Sequence, residues 1–566
     1  MKEELQKFFK GEIDDSDATL TAYSHDASIF EIRPQLVVFP KDSTDIQNLV
    51  RWVNEQKEKK TALSATLSLT VRAAGTCMSG GAINDSIIMD ITRHMNEMIS
   101  LSKDAQEAIV QPGMFYRDFE KETLAHGLVL PSYTASKSLN TVGGMVGNNS
   151  AGEITLTYGA TRKYVKKLKV VFSDGYEYEV RPLTKKELYQ KVAEPTFEGK
   201  VYKKIVELIN ENFTAIKKAK PNVSKNSAGY ALWDVWDPEK ADEDTQHFDL
   251  AQLIVGSQGT LGIVTEITFS LVPIHPAHEL LVVFLDETTH LGEIVDELLT
   301  YSPESLESYD DKTFKLAMQF FGDFIKTKGI GGTLRFALSF LPEFKMLITG
   351  GVPKLILLAE FTGEDIVETR VRAQNALAKM QSVGLKAHLT KNERESSKYW
   401  QMRRDSFALL RKHTKGRRTA PFIDDIIVRP EFLPEFLPKL NAILSEYKNI
   451  IYTIAGHAGN GNFHIIPLMD FNDPNTVPQI LEISDRVYKL VLDYKGSITA
   501  EHNDGIIRTP YLSFMFGQHM YELFGETKKI FDPKTIFNPK KKFGATVEDI
   551  KHYIKKPDAP IVTHGS

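Results

Sequence analysis

The sequence predicts an α+β fold divided between at least two domains. The chain has 566 residues, more than a single hydrophobic core usually supports. Between residues 30 and 269, short β-branched or apolar runs alternate with glycine-rich turns, and from residue 275 to about 499 longer amphipathic stretches alternate with apolar runs. We therefore predict a strand-rich first domain over 1–274, a second α+β domain over 275–504, and a segment 505–566 that returns to the first domain.

The first domain is predicted from runs of strand length with helices between them. The strands are expected at 35–39, 69–72, 86–91, 108–111, 168–172 and 253–255. A helix over 43–57 follows Asp42, whose side chain can cap it, and a second helix is expected over 114–126.

The second domain is predicted from a mixture of amphipathic and apolar segments. Helices are expected at 291–301 and 365–383, and strands at 279–285 and 354–360. Segment 320–348 mixes aromatic residues with lysine and arginine, which fits ordinary core packing. A second interpretation, which we rank lower, is peripheral contact with the inner face of a membrane.

Composition excludes several classes of protein. The formal charge of −5 gives no overall basic field, so nucleic acid is not an expected partner. Cys77 is the single cysteine, which excludes an intrachain disulfide and favours a reducing, cytoplasmic setting. No apolar run reaches the length of a membrane-spanning helix.

Glycine-rich loops recur at three places in the first domain. The first is VRAAGTCMSGG over 71–81, the second is TVGGMVGNNSAG over 141–152, preceded by Pro131 and Ser136, and the third is GSQGTLGIV over 256–264. The first loop can turn backbone N–H groups toward a diphosphate, but it matches neither the Rossmann fingerprint nor the P-loop. Three such loops in order indicate one large ligand that touches several of them.

Two motifs in the second domain carry chemistry. In GHAGNGNFH the glycines argue against a helix, so His457 and His464 are expected to flank a tight turn and face one point. Glu501 in TAEHNDG can complete a His, His, Glu set for a divalent metal, zinc or manganese before other ions. His502, next to Glu501, can act as a general base.

Together the loops and motifs resemble the FAD-binding domain of the vanillyl-alcohol oxidase and p-cresol methylhydroxylase superfamily. The C-terminal half resembles its D-lactate, glycolate and D-2-hydroxyglutarate dehydrogenase branch. The resemblance implies a two-subdomain PCMH-type FAD-binding domain and an α+β FAD-linked oxidase C-terminal cap domain. It also implies that the flavin-binding residues are Arg72, Ala73, Ala74, Gly75, Thr76, Cys77, Met78, Ser79, Pro131, Ser136, Thr141, Gly143, Gly144, Asn148, Ser150, Ala151, Gly152, Gly262, Ile263, Val264 and Asn538.

The same resemblance assigns roles at the catalytic side. It makes His457, His464 and Glu501 metal ligands and His502 the base, and the run YWQMR nominates Arg403 to bind the substrate carboxylate. Arg404, next to it, is expected to be a solvated charge. Many relatives attach the flavin through a histidine in the first loop, but 72–81 contains none, so the FAD is expected to be non-covalent.

The chain departs from the family pattern at three places. Ala73 and Ala74 stand where glycines are usual, Gln258 where a glutamate is usual, and Asn503 where a glycine is usual. Asparagine tolerates left-handed backbone angles, so the turn at 503 can survive the change.

The implied reaction is oxidation of a small D-2-hydroxy acid to the 2-keto acid, with D-lactate first and D-2-hydroxyglutarate or glycolate as alternatives. Electrons would pass to an acceptor other than oxygen, such as a quinone, an electron-transferring flavoprotein or an iron–sulfur protein. Two other functions stay open: a flavin-bearing electron-transfer subunit with an iron–sulfur partner, and an alcohol or sugar oxidase on the same scaffold.

Overall fold

The structure is a computed structural model that describes residues 1–59, 61–238, 246–311, 352–412 and 416–555. Segment 320–348, for which two interpretations were given, lies outside these residues. The described part is a mixture of helices and β-sheets, as predicted. No helix in it is both long and apolar enough to cross a membrane.

The N-terminal part forms a small sheet flanked by helices. Three strands, Leu36–Phe39, Ile87–Asp90 and Leu69–Arg72, run parallel in that order, and Glu12–Asp14 adds an antiparallel edge. The helices of this part are Lys2–Leu5, Asp17–Ala22, Ser43–Glu58 and Ala62–Thr66. The predicted capping residue is confirmed, because the Asp42 side chain accepts a hydrogen bond from the backbone N–H of Asp45 at 3.1 Å.

A five-stranded antiparallel sheet follows. Its strands in spatial order are Met98–Ser102, Glu107–Val110, Ile263–Ser270, Val165–Val171 and Glu177–Val180. Two short pairs accompany it, Leu183–Thr184 with Gln246–Phe248 and Leu128–Val129 with Val272–Pro273. The helices are Tyr116–Ala125, Val142–Asn148, Thr155–Tyr158, Lys185–Ala193, Phe197–Ala219 and Ala251–Ile254. The predicted strand at 253–255 is wrong: residues 251–254 form a helical turn that buries Leu253 and Ile254 against the sheet.

The second part of the chain is built on a larger antiparallel sheet. Its strands in spatial order are Lys386–Leu389, Ala277–Leu285, Leu355–Gly363, Ser305–Asp310, Ile451–His457, Asn462–Met469 and Arg418–Thr419, and Ile426–Ile427 also pairs with Asn462–Met469. The helices are Leu291–Leu299, Ile366–Ser382, Glu393–Lys412, Leu433–Ser445 and Thr476–Asp493. The predicted strands and helices of this part are confirmed to within a few residues.

The C-terminal segment contains Gly505–Arg508, Leu512–Phe516, Gln518–Phe531 and Val547–Tyr553 as helices. Phe537 forms a bridge with Leu69 of the small sheet, and the Lys528 ammonium donates to the backbone oxygen of Thr260 at 2.7 Å. The segment therefore contacts the glycine-rich loops, and it also carries Asn538. Short 3-10 turns occur at Thr161–Tyr164, Leu232–Asp234, Pro430–Phe432, Ala458–Asn460 and Thr509–Tyr511.

Candidate active site

A β-hairpin brings His457 and His464 to one point. The strands Ile451–His457 and Asn462–Met469 pair so that Ala455 faces His464 and His457 faces Asn462. Both histidines therefore lie on one face of the hairpin, and their ring centroids are 5.2 Å apart. The predicted tight turn is confirmed: it is a 3-10 turn at Ala458–Asn460 followed by Gly461 at φ 68°.

Glu501 completes the set that the sequence nominated. The ligand atoms of His457, His464 and Glu501 lie within 4.8 Å of one another. One Glu501 oxygen is 3.1 Å from His457 Nε2, and the buried Lys225 ammonium donates to the same oxygen at 2.5 Å. Burial raises the pKa of the Glu501 carboxyl, but Lys225 and His457 outweigh burial and hold it well below its usual value. Glu501 is thus a carboxylate and can act as a ligand.

A second layer of groups orients the two histidines. His457 Nδ1 lies 2.6 Å from a Glu307 oxygen, and His464 Nδ1 lies 3.2 Å from the backbone oxygen of Asp424. Because a carboxylate or a carbonyl oxygen can only accept, both Nδ1 atoms carry hydrogen. Burial, together with the charge of His502, lowers the pKa of His464 to about 4, so its Nε2 keeps a lone pair at neutral pH. Such an outer hydrogen bond is the usual companion of a metal-binding histidine.

His502 is held by a buried charge network. Its Nδ1 donates to Asp424 at 2.7 Å, and the Arg508 guanidinium contacts the other Asp424 oxygen. Burial lowers the pKa of His502, but Asp424 and Asp425 outweigh burial and raise it to about 9. The protein groups alone therefore keep His502 protonated at pH 7, which differs from the expectation of a base near neutral pH. The ring stacks on His464 with centroids 5.0 Å apart.

Asp425 fixes the turn that carries Glu501 and His502. One of its oxygens accepts from the backbone N–H groups of Glu501 and His502 at 2.8 and 2.7 Å and from the Thr499 hydroxyl at 2.6 Å. Its other oxygen accepts from the Asn462 amide at 3.1 Å, which links the turn to the histidine hairpin. Asp425 therefore ties the two motifs together.

A second group of possible ligands overlaps the first. The ligand atoms of Asp424, His464 and His502 also lie within 4.8 Å of one another. Asp424 already balances both His502 and Arg508, however, so its two oxygens are occupied. We therefore favour the set of His457, His464 and Glu501.

The two arginines of the helix Glu393–Lys412 have different partners. Arg403 is buried, and its guanidinium lies 3.2 Å from Glu307, the carboxylate that orients His457. Arg404 makes two bonds to Glu153 at 2.8 and 2.5 Å. Arg404 stays exposed, with 39% of its side chain accessible, as the prediction of a solvated charge requires, and it pairs with the buried Glu153, which directly follows the second glycine loop.

The three glycine-rich loops converge on the turn that follows His502. Asn503, at φ 67°, donates to the backbone oxygens of Asn148 and Gly256 at 3.0 and 2.9 Å. The Ser79 hydroxyl lies 3.2 Å from the His502 backbone oxygen. The Gln258 side chain donates to the Asn148 side chain at 3.2 Å and accepts from the backbone N–H of Gly505 at 2.9 Å. The two departures at 258 and 503 are therefore accommodated as hydrogen-bonding partners.

Close packing explains why several positions of the flavin loops are occupied by glycine, because a Cβ there would meet neighbouring atoms. A Cβ on Gly143 would lie 2.5 Å from the Pro112 oxygen, and one on Gly152 would lie 1.9 Å from the Tyr133 oxygen. A Cβ on Gly144 would be 3.7 Å from Ala73, so the first and second loops are neighbours.

The other nominated flavin residues lie in or beside the same three loops, at the start of the strand Ile263–Ser270, or in the C-terminal segment. Asn538 joins two of the loops, since its amide donates to the backbone oxygens of Gly81 and Gln258 at 2.9 and 2.7 Å. The loops thus form a continuous wall beside the histidines. Glycine-rich backbone of this kind fits the close approach of an FAD molecule.

Sequence reasoning gave no role in this site to five of its charged groups: Lys225, Glu307, Asp424, Asp425 and Arg508. One signal was available, because Asp424 and Asp425 stand together inside the apolar run PFIDDIIV, where buried carboxylates need a function or a partner. The remaining residues carry no local signal.

Comparison with protein families matches two parts of the chain. Residues 34–181 match the FAD binding domain family, and residues 274–542 match the family described as FAD linked oxidases, C-terminal domain. The first match covers the first and second glycine loops, and the second match covers both catalytic motifs.

Individual relatives agree with this assignment. The chain is 28% identical to a D-2-hydroxyglutarate dehydrogenase of Pseudomonas putida over 94% of its own length and 50% of that protein, so it spans about half the length of this relative. It is 24% identical to the glycolate oxidase subunit GlcD of Bacillus subtilis, over 94% of this chain and 93% of that one.

A solved structure shares the fold. The p-cresol methylhydroxylase structure matches with a TM-score of 0.63 and 14% identity, over 95% of this chain and 94% of that one. The chain therefore belongs to the FAD-linked oxidase flavoproteins, which join an FAD binding domain to the FAD-linked oxidase C-terminal domain on the p-cresol methylhydroxylase fold.

Proposed function

We propose that the protein oxidises a small D-2-hydroxy acid to the 2-keto acid, using non-covalent FAD and a divalent metal held by His457, His464 and Glu501. The observation that carries the proposal is the convergence of these three side chains beside the flavin loops. Two further points support it: both histidines have an outer acceptor on Nδ1, and relatives are named for D-2-hydroxyglutarate and glycolate.

The charge of the site fits a divalent cation. Glu307, Asp424, Asp425 and Glu501 supply four carboxylates, whereas Lys225, Arg403 and Arg508 supply three cations. Without an ion, the proton on His502 balances the one excess negative charge. With a divalent ion and neutral histidines these groups would sum to one positive charge, which the substrate carboxylate would offset. When bound, FAD supplies a hydride acceptor for C2 of the substrate, and the ion lowers the pKa of the hydroxyl group and orients it.

In this proposal the chain's own groups bind the acid and move one proton. We assign the substrate carboxylate to Arg403, whose guanidinium pairs with Glu307, the carboxylate that orients His457. His502 Nε2 takes the hydroxyl proton while Nδ1 stays bonded to Asp424, which stabilises the imidazolium that forms. A divalent ion held by His457, His464 and Glu501 would lower the pKa of His502 from the value set by Asp424 and Asp425, as a base at neutral pH requires.

The Lys225 ammonium contacts the Glu501 carboxylate and could neutralise its charge without a metal ion. The metal content of the purified protein distinguishes a site with a bound ion from one in which Lys225 alone neutralises Glu501. We expect about one divalent ion per chain in the protein, loss of the ion in His457→Gln, and its retention in His502→Gln. A protein that binds no zinc or manganese would remove the metal from the proposal.

The test of the reaction is the anaerobic absorbance of the flavin bands. The names of the relatives put D-2-hydroxyglutarate first, followed by D-lactate, glycolate and, as a stereochemical control, L-lactate. We expect one D-acid to bleach the bands and a chelator to suppress bleaching. His502→Gln should slow reduction by about 100-fold to 10,000-fold, whereas the exposed His290→Gln should not change it. Flavin that none of the acids reduces would overturn the proposal.

Three finer points belong to the same proposal. The domain division is 1–274, 275–504 and 505–566. The acceptor is a quinone, an electron-transferring flavoprotein or an iron–sulfur protein. The protein acts in the cytoplasm.

A further inference from the structure

Lys225 is a buried lysine at the candidate metal site. It lies in the loop between the helix Phe197–Ala219 and the 3-10 turn Leu232–Asp234, and none of its side chain is exposed. Its ammonium donates to the Glu501 carboxylate at 2.5 Å, and Glu501 is itself buried. The reaction proposed above assigns no step to Lys225.

The oxygen of Glu501 that Lys225 contacts also faces a histidine. Glu501 Oε1 lies 2.5 Å from the Lys225 nitrogen, and the same oxygen lies 3.1 Å from His457 Nε2. Because His457 Nδ1 faces Glu307, Nε2 is the ring nitrogen left for an ion. The ammonium therefore contacts one of the atoms that would bind the ion.

The charge of Lys225 opposes the binding of a divalent ion. Such an ion lies about 2 Å from a carboxylate oxygen, so an ion on Glu501 Oε1 would be within about 5 Å of the Lys225 nitrogen. Even at the dielectric constant of bulk water, charges of +1 and +2 separated by about 5 Å repel enough to weaken binding about tenfold. Buried charges are screened less, so we take about tenfold as the minimum effect of an ammonium that keeps this position.

The same ammonium stabilises the protein when no ion is bound. Glu501 is a buried carboxylate, and a buried charge that loses its counter-charge is strongly destabilising. Lys225 supplies that counter-charge at hydrogen-bond distance. Lys225 and an ion on Oε1 therefore neutralise the same carboxylate, and the presence of one weakens the need for the other.

Lys542 provides a matched comparison. Its side chain is also fully buried, and its ammonium donates to Asp504 at 2.9 Å and to two backbone oxygens of the segment 225–229 at 2.8 and 2.7 Å. Like Lys225, it joins this segment to the turn that carries Glu501. Its hydrogen bonds in the described part of the chain reach none of the three proposed metal ligands.

We propose that Lys225 is a positioning residue that holds Glu501 in the metal-free protein and competes with the divalent ion for Glu501 Oε1. The inference rests on the proposed function, from which it takes His457, His464 and Glu501 as the ligands. The protein then binds its ion more weakly than these three ligands alone would allow, and the site stays assembled when the ion is absent.

Metal affinity is measured on the FAD-loaded protein after its ions have been removed by dialysis against a chelator. Zinc and manganese are titrated separately, in competition with a chromophoric chelator. Lys225→Met should raise the affinity at least about tenfold, because methionine keeps most of the packing and removes the charge. Lys542→Met should not raise it. An unchanged or lower affinity of Lys225→Met, or an equal rise in both variants, would overturn the proposal.

Thermal unfolding gives a second readout, which a purely structural role of Lys225 would not produce. Without an ion, both variants should unfold at a lower temperature than the unmodified protein. Excess zinc should raise the midpoint of Lys225→Met more than that of the unmodified protein, because tighter binding stabilises the folded state more. Equal gains in the unmodified protein and both variants would contradict the proposal. If Lys225→Met does not fold, Lys225→Gln, which keeps a hydrogen-bond donor without the charge, replaces it in both measurements.

Glu501→Gln separates failure of this inference from failure of the proposed ligands. If Glu501→Gln binds zinc as tightly as the unmodified protein, the ligand set and the role of Lys225 are overturned together. If Glu501→Gln loses zinc but Lys225→Met binds it no more tightly, only the role of Lys225 is overturned. Zinc binding by Lys225→Met but not by the unmodified protein would support the competition, and zinc binding by neither would overturn both proposals.

Discussion

Replacing Asp424 by asparagine should destabilise the protein more than removing Asp424 and Arg508 together. Both side chains are fully buried, and Asp424 is the carboxylate that Arg508 contacts. Asp424→Asn leaves the Arg508 guanidinium and the His502 ring with Asp425 as their shared counter-charge and without the carboxylate that contacts both. The double variant Asp424→Asn with Arg508→Met removes both charges and keeps most of the packing.

The expected magnitude follows from the burial. Breaking a buried pair by removing one partner costs about 3–5 kcal/mol, whereas replacing both partners by neutral groups is often close to neutral. In a domain of about 250 residues, about 1 kcal/mol shifts the midpoint of thermal unfolding by roughly 2–4 °C. Asp424→Asn should therefore lower the midpoint by roughly 6–20 °C, and the double variant by less. Asp493→Asn, which removes an exposed partner of Lys489, should shift it by less than about 2 °C.

Thermal unfolding followed by circular dichroism on the full chain gives the test, with the four proteins at one pH and one flavin concentration. The reasoning fails if Asp424→Asn shifts the midpoint no more than Asp493→Asn does. It also fails if the double variant loses as much as Asp424→Asn alone, since that would mean that removing the Arg508 charge does not compensate for the loss of Asp424.

Three other changes test the loops and the C-terminal segment. Asn503→Gly loses two hydrogen bonds to backbone oxygens but keeps the φ of 67°, whereas Asn503→Ala also strains the turn. FAD affinity, measured by flavin fluorescence, should fall further for Ala than for Gly by about 1 kcal/mol, and equal losses would argue against backbone strain. Gly152→Ala should abolish FAD retention, because its Cβ would meet a backbone oxygen at 1.9 Å. Gly147→Ala, with open space around it, should retain the flavin, and equal behaviour of the two would refute the packing argument. Burial lowers the pKa of Lys541 to about 7 despite nearby carboxylates, so the unfolded chain binds more protons between that pH and 10.5. His502, whose pKa is raised, has the opposite effect up to about pH 9, so the quantity to measure is the free energy of unfolding of the flavin-free protein minus that of Lys541→Met, each from urea unfolding. This difference should rise with pH by about 1.4 kcal/mol per pH unit, and a difference that does not change with pH would contradict the reasoning.

Predictions from the sequence were most accurate for features that depend only on residues close together in the chain. The helix after Asp42 and the hairpin between His457 and His464 follow from capping, periodicity and turn chemistry, all of which act over a few residues. The prediction of a strand at 253–255 was wrong because it also used only neighbouring residues. Three apolar residues do not distinguish a strand from a helical turn, and packing against the five-stranded sheet made the choice.

The sequence by itself determined the two-part α+β organisation, the three glycine loops and the types of residue at the candidate site. Only the tertiary structure joined these residues into one network. Lys225 meets Glu501 across 276 residues of chain, and Glu307 meets His457 across 150. No periodicity or spacing encodes such contacts, because they arise when the fold brings distant segments together: Glu307 and His457 lie on neighbouring strands of the large sheet, and Lys225 and Glu501 lie in separate loops. Once water is excluded, each buried charge must find its partner wherever the fold has placed one.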